Sequence, residues 1–228
     1  MGTLSTVAKC KSAFFRLLGT ESDDPSLVLE GESADDVLYL YLTRGTWTAQ
    51  RWMLKMGYQG WRQRSAALTW TGTDATTGGT YSALPSDFLR AYGSARLSAL
   101  VKADGTRWGD EISAEEEDQK GDGYYFRGDN LWLTRGATPP ATLYLEYHYQ
   151  HPAWSSSVTI DFPVEARPLL IAEAASAAKE ENWLPGGAEL EQKIERALFR
   201  AREEARDVVR PTKQQRRLRK APRYGNHW

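Results

Sequence analysis

The spacing of apolar residues changes twice along this chain of 228 residues, and that change constrains the fold more than any other feature. Apolar positions recur with helical spacing in residues 4–18 and 34–56, alternate as in strands within 61–150, and return to helical spacing in 165–182 and 188–209. Helices that lie at both ends of a block of strands do not form alternating strand–helix units. The sequence therefore predicts an α+β fold, a helical bundle with a projecting small antiparallel β-sheet.

Local signals mark several boundaries of these segments. Ser33 has the residue type of an N-cap, and two aspartates follow it in the first helical turn, where negative charge suits the helix dipole. Alternation is clearest in residues 141–149, which we predict to be a strand. Pro211 ends the last helix. We therefore predict one folded domain, residues 1–209, followed by an extended arm, residues 210–228.

Charge is distributed unevenly between the domain and the arm. The chain has 29 basic and 30 acidic residues, but seven of the basic residues and none of the acidic residues lie in the arm. The remaining 22 basic and 30 acidic residues give the domain a charge of −8 against +7 for the arm. The arm has little aliphatic content to bury, so we expect it to become ordered only on a partner. Its candidate docking residues are Arg210, Lys213, Arg216, Arg217, Arg219, Lys220, Arg223, Tyr224 and Trp228.

Composition alone leaves three roles open for the arm. It can dock on an acidic protein, with arginines that bind carboxylates and terminal aromatics as anchors. It can bind nucleic acid, because cationic side chains neutralise phosphates and aromatic rings stack on bases. A solubilising tail is the third role, although Tyr224 and Trp228 at its tip favour binding.

Acidic residues cluster in the middle of the chain. They do not follow the Asp-x-Asp-x-Asp-Gly pattern of a calcium loop, so we expect a solvated loop or a contact with a basic neighbour rather than a metal site. The cluster consists of Asp110, Glu111, Glu115, Glu116, Glu117 and Asp118.

The sequence assigns no catalytic residue, metal or cofactor. Glycine-rich phosphate-binding motifs are absent, and the single cysteine, Cys10, excludes an internal disulfide and a cysteine-based zinc site. Asp87, Glu116 and His148 form no acid–base pair with a positioning partner, and we expect His148 to face solvent from its strand. We therefore predict a non-enzymatic protein.

Neither a transmembrane segment nor a signal peptide is predicted. No stretch approaches the roughly 20 apolar residues that cross a bilayer. Basic residues also interrupt the apolar residues near the N-terminus. We expect a protein that is made in a reducing cytoplasm and has no membrane partner.

Four segments, taken in order, resemble the head-to-tail adaptor (connector, or head-completion) proteins of tailed bacteriophages. They are Leu84-Pro85-Ser86-Asp87-Phe88-Leu89, the hairpin around Gly128-Asp129-Asn130 from Tyr124 to Leu133, the strand from Leu143 to Tyr149, and Phe162-Pro163-Val164-Glu165 before an Ala-rich helix. The order matches along most of residues 1–209. The long connector at 20–32 and the acidic cluster depart from the shorter members.

The resemblance implies a structural virion protein at the head–tail junction, made in the host cytoplasm. Copies would form a ring, typically dodecameric, beneath the portal protein, and genomic DNA would pass through the lumen. The arm would dock on the portal. The β region would face a tail-side protein (a nozzle, tail terminator or head-closure protein), with the acidic cluster, Tyr124 and Trp132 as tail-side or inter-subunit contact candidates. The alternative is a nucleic-acid-binding accessory protein that uses the same arm.

Overall fold

The computed structural model describes residues 4–19, 33–71, 79–89, 98–113, 121–182 and 187–209, and the chain divides into two compact units. The helical unit comprises Met1–Tyr58 and His151–Trp228, and the β unit comprises Gln59–Gln150. Every helix in the described residues belongs to the helical unit and every strand to the β unit. The predicted α+β fold is therefore confirmed. The domain boundary at residue 209 stays a prediction.

The described part of the helical unit has four α-helices. Each overlaps a segment with helical apolar spacing, and the third begins late because a 3₁₀ turn, Val164–Ala166, precedes it. Ser33 is confirmed as an N-cap, since its Oγ accepts a hydrogen bond of 3.1 Å from the backbone N–H of Asp36. The helices are α1 (Val7–Leu18), α2 (Ala34–Lys55), α3 (Arg167–Asn182) and α4 (Gly187–Val209).

α2 and α3 approach each other closely. A Cβ atom added to Gly45 would lie 2.5 Å from both the backbone nitrogen of Ala174 and the carbonyl oxygen of Leu170. Ala174, Ala175 and Ala178 are buried on α3, where small side chains permit this approach. Gly45, which lowers the helix propensity of α2, thus serves the packing of two helices.

Arg167 is a buried cation at the start of α3. Its side chain donates hydrogen bonds of 3.0 Å to the carbonyl oxygens of Phe162 and Ile160, and it also donates to the carbonyl oxygen of Leu4. A single guanidinium thus ties residue 4 and the segment before α3 to the first turn of that helix, because its donors are fixed in one planar fork.

Cys10 lies on the buried face of α1 and is fully inaccessible. Burial raises the pKa of its thiol to about 11, although the nearby Arg167 guanidinium lowers the pKa in part. A thiol that is both inaccessible and protonated is a poor nucleophile.

We therefore expect the native protein to resist an aromatic disulfide reagent at pH 8 and to react with one equivalent once guanidinium unfolds it. The unfolded thiol ionises near 9, so this group stabilises the fold fully below pH 9 and loses its contribution as pH rises to about 11. Reaction rates with and without denaturant test the prediction. Rapid stoichiometric labelling of the native protein would contradict it.

The β unit has seven short strands in its described residues, arranged as two sheets. One sheet has the order β1-β7-β3 and is antiparallel, whereas the other has the order β2-β6-β5-β4, with β4 parallel to β5. The strands are β1 (Arg62–Arg64), β2 (Tyr81–Ala83), β3 (Ala99–Lys102), β4 (Asp110–Glu111), β5 (Gly123–Arg127), β6 (Asn130–Leu133) and β7 (Leu143–His148).

The division into two sheets corrects the prediction of one antiparallel sheet. The hairpin between β5 and β6 forms as predicted, with Arg127 opposite Asn130 and Gly128 in the left-handed region at φ 60°. β7 does not pair with β6, from which it is separated by residues 134–142, a connector that contains Pro139 and Pro140. β7 pairs instead with β1 and β3.

The prediction that His148 faces solvent is wrong. His148 is 3% exposed, although the polar–apolar alternation of its strand predicted the opposite. Residues 87–89 run alongside this end of β7, where the N–H of Leu89 donates to the His148 carbonyl oxygen at 2.9 Å. The alternation could not reveal this neighbour, which is distant in sequence.

Candidate interaction surfaces

The residues predicted to form the docking arm all lie outside the described residues, immediately after the end of α4 at Val209. Four residues of the acidic cluster also lie outside them: Glu115, Glu116, Glu117 and Asp118. The arm residues concerned are Arg210, Lys213, Arg216, Arg217, Arg219, Lys220, Arg223, Tyr224 and Trp228.

Asp110 and Glu111, the described members of the acidic cluster, occupy different environments on β4. Asp110 is exposed, whereas Glu111 is half-buried. The Oε2 atom of Glu111 is buried without a hydrogen-bond partner among the residues the structure describes. Desolvation accordingly raises the pKa of the Glu111 carboxyl. Of the two carboxylates, only that of Asp110 is exposed enough to contact a neighbouring protein.

Tyr124 and Trp132, the aromatic contact candidates, are core residues of the β unit. Tyr124 is 3% exposed, and burial raises the pKa of its hydroxyl to about 12. Trp132 is 6% exposed; its ring stacks on Tyr125 with centroids 6.3 Å apart, and its Nε1–H donates to the Arg127 carbonyl oxygen. These side chains stabilise the β5–β6 hairpin and leave little surface for a partner.

Asp87 has a structural role in the corner formed by residues 84–89. Its Oδ1 accepts a hydrogen bond of 2.8 Å from the Tyr147 hydroxyl, and its Oδ2 accepts one of 2.7 Å from Nε2 of Gln63. Burial, followed by the hydrogen bond to the Asp87 carboxylate and its charge, raises the pKa of Tyr147 to about 12. Asp87 thus joins the corner to β1 and β7.

A groove runs along α2, and sequence reasoning did not identify it. The α2 residues that line it recur at spacings of three and four, so they share one face of the helix. The groove has a volume of about 760 Å³ and is lined by Asp36, Tyr39, Leu40, Thr43, Arg44, Trp47, Ala153, Trp154, Ser155 and Ser156.

The non-helical wall of the groove is hydrogen-bonded to α2. The indole N–H groups of Trp47 and Trp154 and the backbone N–H groups of His151 and Trp154 donate these bonds. His151 is 1% exposed within this wall, and burial lowers the pKa of its imidazole. The bonds are Trp47 Nε1–H to the His151 carbonyl oxygen (2.8 Å), His151 N–H to Gln50 Oε1 (3.1 Å), Trp154 N–H to Thr43 Oγ1 (2.8 Å) and Trp154 Nε1–H to Thr46 Oγ1 (2.8 Å). These four hydrogen bonds therefore hold the wall against α2.

Three large apolar side chains are exposed in the described part of the chain: Leu40 (40%), Val164 (40%) and Phe199 (70%). Leu40 lies in the α2 groove. Phe199 follows the buried Ile194 by five residues and precedes the buried Ala201 by two, which places it about 140° and about 160° from them around α4. It therefore points away from the core on an otherwise charged face.

The described residues contain no group of three or more His, Cys, Asp or Glu side chains placed to hold a metal ion. None of the helices described has the length and apolar character that crossing a membrane requires.

Comparison with known proteins gives one family. The family model described as "SU10 adaptor protein" matches residues 20–222, which include α2, all of the β unit, α3, α4 and most of the arm. No curated protein matches the chain.

Proposed function

Because this chain belongs to the SU10 adaptor protein family and is a phage head-to-tail adaptor, we propose that its copies form a ring that joins the portal vertex of the capsid to the tail. The ring is dodecameric in this proposal, and genomic DNA passes through its lumen. A phage adaptor family is a family of structural proteins, and its members are virion components that act in tail assembly rather than enzymes. We assign no catalytic residue or cofactor.

The arm, residues 210–228, is the portal-binding element in this proposal. The observation that carries it is the separation of charge, +7 in the arm against −8 in residues 1–209. The arm also follows α4 directly, and the family model extends through most of it, to residue 222. A cationic segment of this kind binds an acidic groove through bidentate arginine contacts and uses its aromatics as anchors.

The charge of the remaining chain supports passage of DNA without retention. Residues 1–209 carry a charge of −8, which repels phosphates and opposes tight binding of DNA to this part of the chain. The exposed Asp110 on β4 supports, in the same way, a β unit that faces a basic surface of the tail-side protein.

Deletion of residues 210–228 is expected to abolish capture of the protein by purified portal rings. We expect affinity to fall about 100-fold or more, equivalent to about 2.7 kcal/mol, because the arm supplies the main anchors. Co-sedimentation with portal rings measures the loss, and circular dichroism checks that the truncated protein keeps its helices.

A variant in which the order of residues 210–228 is shuffled serves as the matched control, since it keeps the charge and composition. Specific docking predicts that the shuffled arm also fails, whereas binding by charge alone predicts that it is captured normally. Normal capture of the truncated protein would refute the role of the arm.

A nucleic-acid-binding accessory protein is the second candidate, and the seven basic residues of the arm favour it. It predicts duplex binding that weakens steeply with salt, with a log–log slope that approaches the number of phosphates contacted. Gel-shift titrations of the intact and truncated proteins at two salt concentrations distinguish the candidates. The adaptor proposal predicts weak duplex binding that the portal ring outcompetes.

A further inference from the structure

We propose that the wall of the α2 groove, residues 151–156, is an acid-sensitive latch: protonation of the buried His151 releases the wall from α2 while the helices stay folded. The inference concerns contacts within a single copy. It therefore does not depend on the proposed ring or on the proposed role of the arm.

The imidazole of His151 is held in one neutral tautomer. Its Nδ1 lies 2.7 Å from the carbonyl oxygen of Pro152, and because a carbonyl oxygen only accepts, Nδ1 carries the proton. Nε2 is then the unprotonated nitrogen, and it is buried without a hydrogen-bond partner among the described residues. A second proton would therefore create an N–H donor that has no acceptor, on a side chain that is 1% exposed.

The groups around the imidazole also disfavour a positive charge. Burial lowers the pKa of His151, the bond to the Pro152 carbonyl oxygen offsets part of this, and the Arg167 guanidinium on α3 lowers the pKa further. Cys10 of α1, which is also near Arg167, has a pKa of about 11 and stays neutral in acid. No carboxylate of the described residues pairs with the imidazole. The α2 side chains bonded to the wall are uncharged: Thr43, Thr46, Trp47 and Gln50.

Release of the wall is a small rearrangement that brings water to a charged imidazole. Residues 151–163 contain no helix or strand, and the backbone at Pro152 and Ala153 is already at the surface. The contacts to be broken are the four hydrogen bonds to α2, and the ring of His151 stacks on that of Trp154, with centroids 6.3 Å apart. Solvation of the imidazolium thus requires local opening and not the unfolding of a helix.

The sign of the pH dependence follows from the lowered pKa of His151. When the wall is open, the imidazole is in water and has its ordinary pKa of about 6.5. The closed wall is therefore fully favoured above pH 6.5. Below pH 6.5, the equilibrium constant for closing falls by up to about tenfold for each pH unit, until the pH reaches the lower pKa of the closed form.

Hydrogen exchange of the full-length protein at pH 7.5 and 5.5, resolved to single residues and corrected for the intrinsic rate at each pH, tests this inference. The reporters are the backbone N–H groups of His151 and Trp154, which donate to Gln50 and Thr43 in the closed wall. We expect their protection to fall by up to about tenfold at pH 5.5. The buried part of α3, residues 169–178, is expected to keep its protection.

His151→Gln removes the titrating group and keeps a neutral polar side chain at this position. Whatever its level of protection at pH 7.5, we expect that level to be the same at pH 5.5. The matched control is His148→Gln, which replaces the buried histidine of β7 (3% exposed) and is expected to retain the acid-induced opening of the wild type.

Three results would overturn the inference. Protection of the wall in the wild type could be equal at both pH values, or the loss at pH 5.5 could be as large in His151→Gln as in the wild type. In the third, residues 169–178 lose protection together with the wall, which indicates that acid unfolds the helical unit as a whole. If His151→Gln does not fold, NMR titration of the wild type decides instead: His151 that gains its proton while the wall stays protected would equally refute the latch.

Discussion

Gly45→Val is expected to disrupt the packing of α2 on α3 and to unfold the helical unit. The added Cβ would lie 2.5 Å from two backbone atoms of α3, the Ala174 nitrogen and the Leu170 carbonyl oxygen, and rotation of a side chain cannot move backbone atoms. The two helices must separate, which opens the buried alanine face of α3.

In Gly45→Ala, the same clash destabilises the protein, whereas the higher helix propensity of alanine stabilises it. Alanine stabilises a helix interior by about 1 kcal/mol relative to glycine. Overpacking of a rigid core costs about 1–3 kcal/mol and more where backbone must move, so the clash prevails. We expect a net loss of about 2 kcal/mol or more for alanine and a larger loss for valine.

Guanidinium titration measures the loss of stability, and the reactivity of the buried Cys10 reports whether the helical unit has opened. Thr48→Val is the matched control, because Thr48 is an exposed residue of the same helix and receives the same side chain. Stability equal to or above wild type in Gly45→Ala would show that α2 and α3 do not approach as closely as described.

Arg167→Met is expected to cost several kcal/mol. Methionine keeps the length of the apolar stem but removes the donors to the carbonyl oxygens of Phe162, Ile160 and Leu4. The hydrogen bond to the Phe162 carbonyl oxygen is buried, and an unpaired buried acceptor costs about 1–3 kcal/mol; the bonds to Ile160 and Leu4 are partly buried, so the loss of each costs less. Removal of a buried cation relieves part of this loss, so we expect about 3 kcal/mol in total.

The pKa of His151 provides a second readout for this variant. The positive charge of Arg167 contributes to the lowered pKa of His151, after the larger effect of desolvation. We expect the His151 pKa to rise in Arg167→Met and to stay low in Arg167→Lys, which retains the charge. Histidine titration by NMR measures the pKa values. A stable Arg167→Met with an unchanged His151 pKa would refute the placement of the guanidinium.

Several details of the fold followed from local signals. Ser33 caps α2 because its short hydroxyl side chain accepts a bond from a free N–H of the first turn, whatever the rest of the chain does. The turn at Gly128 and Asp129 forms for a similar reason, since glycine takes a positive φ at no steric cost. These preferences act over a few residues and are visible in sequence.

Other details depended on residues far apart in the chain. The alternation of β7 predicted an exposed His148, yet that side chain is buried, and residues 87–89 pair beside it. The groove depends on the segment from His151 to Trp154, which bonds to α2 about a hundred residues away. Trp47 and Trp154 have the residue types of core side chains, and nothing local indicates that they line a groove.

The segregation of helices from strands, the principal turns and caps, and the opposite charges of the arm and of residues 1–209 can all be predicted from the amino-acid sequence. The close helix contact at Gly45, the burial of Tyr124 and Trp132, and the exposure of Leu40 and Phe199 on separate surfaces are visible only in the folded chain. The physical reason is that backbone propensity and net charge are properties of neighbouring residues. The burial of a side chain depends on the residues that pack against it, and many of those residues are distant in sequence.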